Sequence, residues 1–234
     1  TNMRTTAYGA NNIRSAFSNN SGTNVWTTGA NSTTGEVWST NGGSPTQLTS
    51  GATGGNKTVN GADGQLYASN GVSILSIGTG LPTSGVQVPT ALFANISGAN
   101  MTQFFFADLS VGIAGVDTLY MANNVGNTSA ILKYSLVGGN WVATGSAGVI
   151  NGSIGALGLT GEVDGSGNVT LYGTTGGAIF DLVDSSGYDG TLSGMADSLV
   201  TAPTNTAFRG IAFAPIPEPG ETAAMIGAGA MLFA

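Results

Sequence analysis

Histidine and cysteine are both absent from the 234-residue sequence, and lysine and arginine together number only five. Each absence removes a class of chemistry. Without imidazole there is no Ser-His-Asp triad, no His-ligated zinc and no histidine general base. Without a thiol there is no disulfide framework, cysteine nucleophile or iron–sulfur cluster. Five cations against 12 Asp and Glu leave a net charge of −7, too acidic for a nucleic-acid-binding face. Charged residues of all kinds make up 7% of the chain, so Thr, Ser, Asn and Gly must solubilise the surface. Long amphipathic helices are missing from residues 1–215, because Gly and β-branched residues interrupt the helical period throughout.

What the chain does have is 39 glycines and 41% apolar residues, enough for a sizeable core and unlike a disordered composition. The polar, uncharged, Gly-rich style is common in exported β-proteins. Short runs of Val, Ile, Leu, Thr and aromatics are bounded by Gly, Asn, Asp and Ser, which are strand and turn signals. One pattern returns four times: an apolar residue, an aromatic, small residues and a turn. The copies are Val25-Trp26, Leu66-Tyr67, Leu119-Tyr120 and Leu171-Tyr172, with aromatics 41, 53 and 52 residues apart. A second short strand follows each copy (EVWST, VSILSIG, AILKYSL, AIFDLV), reading as a hairpin. Another candidate strand precedes each (NIRSAFS, NKTVNGA, QFFFADL, SIGALGLTGEV), and a weaker fourth follows some, as in NWVATGS at 140–146.

Units of roughly 40–50 residues with about four strands match β-propeller blades. A β-sandwich or β-solenoid is the alternative, but a sandwich does not require one local pattern to return four times. The segment AFRGIAFAP at 207–215 reads as one more first strand. The sequence therefore predicts an all-β, propeller-like array of about four full blades plus a partial one over residues 1–214. The partial unit, and a first residue of Thr with no leader before it, predict a ring that has lost N-terminal sequence and its signal peptide.

From Pro215 the composition changes. Residues 215–221 form a Pro-rich linker that cannot join a sheet ladder. Residues 222–234 are apolar and helix-compatible, too short for a full membrane span of about 20 residues but readable as the start of one. Pro217-Glu218-Pro219 followed by this Gly/Ala-rich run resembles the PEP-CTERM sorting signal of exported bacterial proteins. The match covers residues 216–234 and lacks the family's Arg-rich tail. The resemblance implies recognition by an exosortase-type protease, a transient membrane anchor, and delivery to the cell surface or extracellular matrix. Segments over roughly 60–215, including FFFADLSVGIAGVDTLYMANN and ILKYSLVGGNWVATG, resemble blades of secreted bacterial repeat proteins. That second resemblance implies fold and export, not an activity.

Candidate chemistry is sparse. Asp108 and Asp117 flank one loop and are the pair to consider for a glycan-processing enzyme, which needs two converging carboxylates. Asp164, Asp181 and Asp184 lie in EVDGSGNVT and DLVDSSGYDG, where oxygens at short spacing would suit calcium. Turn formation accounts for the same residues, and no D-x-D-x-D-G ladder is present. Trp26, Trp38 and Trp141 are the candidates for glycan contact, against packing between blades. Asn31-Ser32-Thr33 and Asn168-Val169-Thr170 match the glycosylation triplet, as an Asn/Thr-rich composition would produce anyway. The sequence thus predicts a non-enzymatic surface or matrix protein acting by adhesion or scaffolding, with exopolysaccharide as a candidate partner. A carbohydrate-binding propeller and a glycan-processing enzyme are the alternatives.

Overall fold

The computed structural model describes residues 7–8, 13–19, 22–30, 34–50, 56–126, 128–149 and 155–213. Among these residues there are sixteen strands and no helix, so the fold is all-β. The strands fall, in chain order, into four antiparallel meanders of four. The first contains β1 (Ile13–Ser18), β2 (Asn24–Gly29), β3 (Val37–Thr40) and β4 (Thr46–Gln47). The second contains β5 (Thr58–Ala62), β6 (Gln65–Ser69), β7 (Ile74–Ile77) and β8 (Pro89–Ala91). The third contains β9 (Met101–Ala107), β10 (Thr118–Asn123), β11 (Ile131–Val137) and β12 (Asn140–Val149). The fourth contains β13 (Gly158–Val163), β14 (Val169–Thr174), β15 (Ala178–Asp184) and β16 (Met195–Thr201). Each copy of the repeated apolar–aromatic pattern is on the second strand of its meander.

Turn chemistry explains why these segments become meanders. Asp63-Gly64 closes the Ala62–Gln65 pair with φ of 45° and 69°, the two positive values of a two-residue hairpin. Gly138-Gly139 closes β11 onto β12 in the same way, with φ of 57° and 80°. Strand alternation then divides the side chains between two faces. On β10 every residue is buried: Leu119 and Met121 enter one core cluster, Tyr120 and Ala122 another. The three clusters lie between successive meanders. Trp26 and Leu48 of the first pack with Leu66 and Ile77 of the second. Ile74 of the second packs with Phe104, Phe106 and Leu119 of the third. Tyr120 and Ile131 of the third pack with Leu159, Leu171 and Phe180 of the fourth.

The third and fourth meanders are also joined at their last strands. The end of β12 pairs in parallel with β16 at Gly148–Met195 and Val149–Ala196. Leu192 bridges Gly145 just before this, and a Cβ on Gly145 would sit 2.3 Å from the Leu192 carbonyl oxygen. Glycine at φ +125° is what permits that approach. The result is an eight-stranded, nearly closed, barrel-like sheet whose two ends, β9 and β13, meet. There Gln103 Oε1 accepts from the Leu159 N–H at 2.8 Å and Thr102 Oγ1 donates to the Ala156 carbonyl at 3.1 Å.

The expected extra first strand differs from what is observed. Among the described residues, 207–213 make no ladder. They run alongside β13 instead, with Gly210 against Gly158 and Phe213 edge-on to Tyr172 at 5.7 Å. The linker at 215–221 and the apolar run at 222–234 lie outside the described residues, as does the proposed helix. Among the described residues no helix is long and apolar enough to cross a membrane.

Candidate functional site

The first strands of the meanders neighbour one another in order. Ser15 Oγ on β1 is 3.0 Å from Thr58 Oγ1 on β5, and it also donates to the Val59 carbonyl. Ser69 Oγ on β6 reaches the Met101 carbonyl on β9 at 2.7 Å, and β9 meets β13 as described. The starts of these strands surround one cavity of about 350 Å³. Its wall takes Arg14 and Ser15 from β1, and Lys57 and Thr58 from the start of β5. Thr102 and Gln103 come from β9, Leu157 from just before β13, and Arg209 and Gly210 from the final segment. All four meanders contribute, which no local feature of the sequence announces.

This wall is strongly cationic for so acidic a protein. Three of the five Lys and Arg residues line it. Burial, reinforced by the nearby Arg14 charge, lowers the Lys57 amine below its ordinary pKa. Main-chain bonding fixes Lys57 in place, since its N–H donates to the Ser69 carbonyl at 2.7 Å. The hydroxyls of Ser15, Thr58 and Thr102 are committed to the seams between strands. Gln103 spends its carbonyl oxygen on Leu159, which leaves its amide N–H groups for the cavity.

A wider hollow of about 600 Å³ lies at the other end of β1 and β5, lined by Phe17, Asn19, Leu81 and the turn from Gly61 to Gly64. It draws on two meanders only, and Asp63 is its charged residue. Asp63 also meets the β9–β10 loop, since a Cβ on Gly115 would fall 2.6 Å from Asp63 Oδ2. Asp108 and Asp164 follow the ends of β9 and β13, as Asp63 follows β5. Five- to seven-residue strands rising about 3.3 Å per residue separate these acidic loops from the cationic starts. These three acidic residues and the cationic strand starts therefore lie at opposite ends of the first strands.

The chain matches no protein-family model and no curated protein. Its site residues must be weighed on geometry alone. Asp117 is fully buried and holds the loop that Asp108 begins. It accepts from Leu109 N, Ser110 N at 2.6 Å and Thr118 Oγ1 at 2.8 Å. Asp108 is exposed, so the two carboxylates do not share an environment.

The calcium candidates are not gathered. Asp164 is an exposed turn former whose Oδ1 accepts from Ser166 N at 2.8 Å and Asn168 N at 2.9 Å. Asp184 is buried, and its Oδ2 is taken by the Lys133 ammonium at 2.8 Å and the Tyr120 hydroxyl at 2.7 Å. Asp181 is half-buried in mid-strand on β15. Among the described residues no group of three acidic side chains could hold a metal ion.

The tryptophans do not form one platform. Trp26 is 1% exposed, stacks on Phe17 and donates from Nε1 to the Pro82 carbonyl at 2.7 Å. This corrects its candidacy for glycan contact, because its faces are packed between the first two meanders. Trp38 is half-buried opposite it and donates to Asn24 Oδ1. Trp141 packs edge-on to Phe106 at 5.7 Å in a different cluster. Pro217, Glu218 and Pro219 lie outside the described residues.

Sequence reasoning missed Arg14, Lys57, Gln103 and Arg209. The signal available was the scarcity of cations, with two of the five at or next to the start of a first strand.

Proposed function

We propose that the four meanders are blades of a β-propeller-like array, and that the protein is a non-enzymatic exported component of a cell surface or extracellular matrix. The observation that carries this reading is the convergence of four consecutive meanders on one cavity through their first strands, with a core cluster between each successive pair. Such an array presents loops and a cavity mouth to a partner while its interior serves packing. The use of Asp117 as a loop anchor and of Asp184 as an ion-pair partner favours binding over catalysis. Export rests on the sequence. Pro217-Glu218-Pro219 ahead of an apolar run would be the element read by an exosortase-type protease, and residues 222–234 the transient membrane element.

The test is localisation of the full-length protein in its host beside a variant with Pro217, Glu218 and Pro219 all changed to Ala. Wild type shortened at the C-terminus and outside the cell, with the variant retained in the membrane, is the expected result. Identical behaviour of the two removes the sorting signal. Carbohydrate binding is the second reading, and the polar, cationic cavity favours it over the buried Trp26.

A further inference from the structure

We infer that the cavity at the strand starts binds an oxyanion carried on a small, hydroxyl-rich ligand: the acidic unit of an anionic polysaccharide. This rests on the surface-binding reading above and names its ligand class. The starting observation is charge placement. Of the five cationic residues, Lys133 is locked in a buried ion pair and Arg4 lies outside the described residues. The remaining three, Arg14, Lys57 and Arg209, converge on one wall from positions far apart in the sequence. None of the carboxylates in the described residues lines that wall, and no ion pair among those residues involves Lys57 or Arg209. A wall that gathers like charges favours a ligand of opposite sign. A bound carboxylate or phosphate there would offset the repulsion that Lys57 feels from Arg14.

The rest of the lining narrows the class. Guanidinium groups suit planar or tetrahedral oxyanions through paired N–H donors. The Gln103 amide adds a neutral donor of the kind that fixes a hydroxyl or carbonyl oxygen. No aromatic side chain lines the cavity, so a stacked nucleobase has no platform. Leu157 is the one aliphatic side chain in the wall, too little for an acyl chain. At about 350 Å³ the cavity is at the small end of the range of about 300–1,000 Å³ for small-ligand sites. One acidic sugar unit, with the chain continuing out of the mouth, fits that size and chemistry.

The experiment is calorimetric titration of the full chain with trigalacturonate, with neutral trigalactose, and with inorganic phosphate. Trigalacturonate should bind at least about tenfold tighter than either control, and raising the salt from about 0.05 to 0.5 M should weaken it severalfold. Lys57→Gln combined with Arg209→Gln should reduce its affinity at least about tenfold. Arg209→Gln alone, in a segment without ladder bonds, gives the same direction should the double variant not fold. Trigalactose binding equally well overturns the anionic requirement. Phosphate binding as tightly as trigalacturonate overturns the saccharide class and leaves a bare anion site. Absence of trigalacturonate binding, or binding unchanged in Arg209→Gln, overturns the inference. Export without trigalacturonate binding removes this inference alone, whereas binding by a protein that is never exported removes the surface reading alone.

Discussion

Lys133 shows how one residue can hold two meanders together. It is on β11 facing the fourth meander, fully buried, with its ammonium 2.8 Å from Asp184. It also donates to Ser186 Oγ at 2.9 Å and to the Gly187 and Gly190 carbonyls at 2.6 and 3.0 Å. Every proton of the ammonium is thus satisfied, which a buried charge requires. Asp184→Asn should destabilise the fold by about 3–5 kcal/mol, since it strands the Lys133 charge. The double change with Lys133→Met should recover much of that loss in urea denaturation. Burial pushes the Asp184 carboxyl up, but bonds from Lys133, Ser186 and Tyr120 outweigh it and hold its pKa below the ordinary value. A depressed folded-state pKa stabilises above the unfolded value of about 3.9 and is lost as pH falls through the folded one. Stability should therefore decline below about pH 4, and Asp184→Asn should flatten that part of the acid limb. The sequence placed Asp184 among turn formers and calcium candidates. Its true partner is 51 residues away in another meander, beyond any local pattern.

At the scale of the element, the second strands were legible and the first strands were only partly so. Leu66, Leu119 and Leu171 alternate with small or aromatic residues between clear turn signals, and each is fully buried. The fourth strands were harder to see, because β4 and β8 have two and three residues and leave almost no periodicity. The β12–β16 seam was invisible, since a parallel pairing of two residues depends on where Gly145 lets the chains approach. Gly145→Ala should open that seam. Its φ of +125° strains any Cβ, and the contact would be with main chain that cannot swing aside. A loss of about 2 kcal/mol or more is expected, with faster amide exchange in β16 than elsewhere. Uniform exchange across the molecule would contradict the local role.

For the whole molecule, the repeat established that four similar units exist, and three-dimensional packing decides what they enclose. Composition gave scarce cations and an acidic total, but not their separation, with Arg14 and Lys57 at strand starts and Asp63, Asp108 and Asp164 beyond strand ends. That polarity depends on all first strands running the same way around the cavity. The seam between β1 and β5 is the place to test it, because the Ser15 and Thr58 oxygens are 3.0 Å apart and the chain has no cysteine to confuse the result. The measurement is mass spectrometry of the Ser15→Cys, Thr58→Cys double variant after mild oxidation. Adjoining strands predict one intramolecular disulfide, a mass lower by about 2 Da, and linkage between the two expected peptides. Two free thiols under the same conditions would contradict the convergence of the meanders on one cavity.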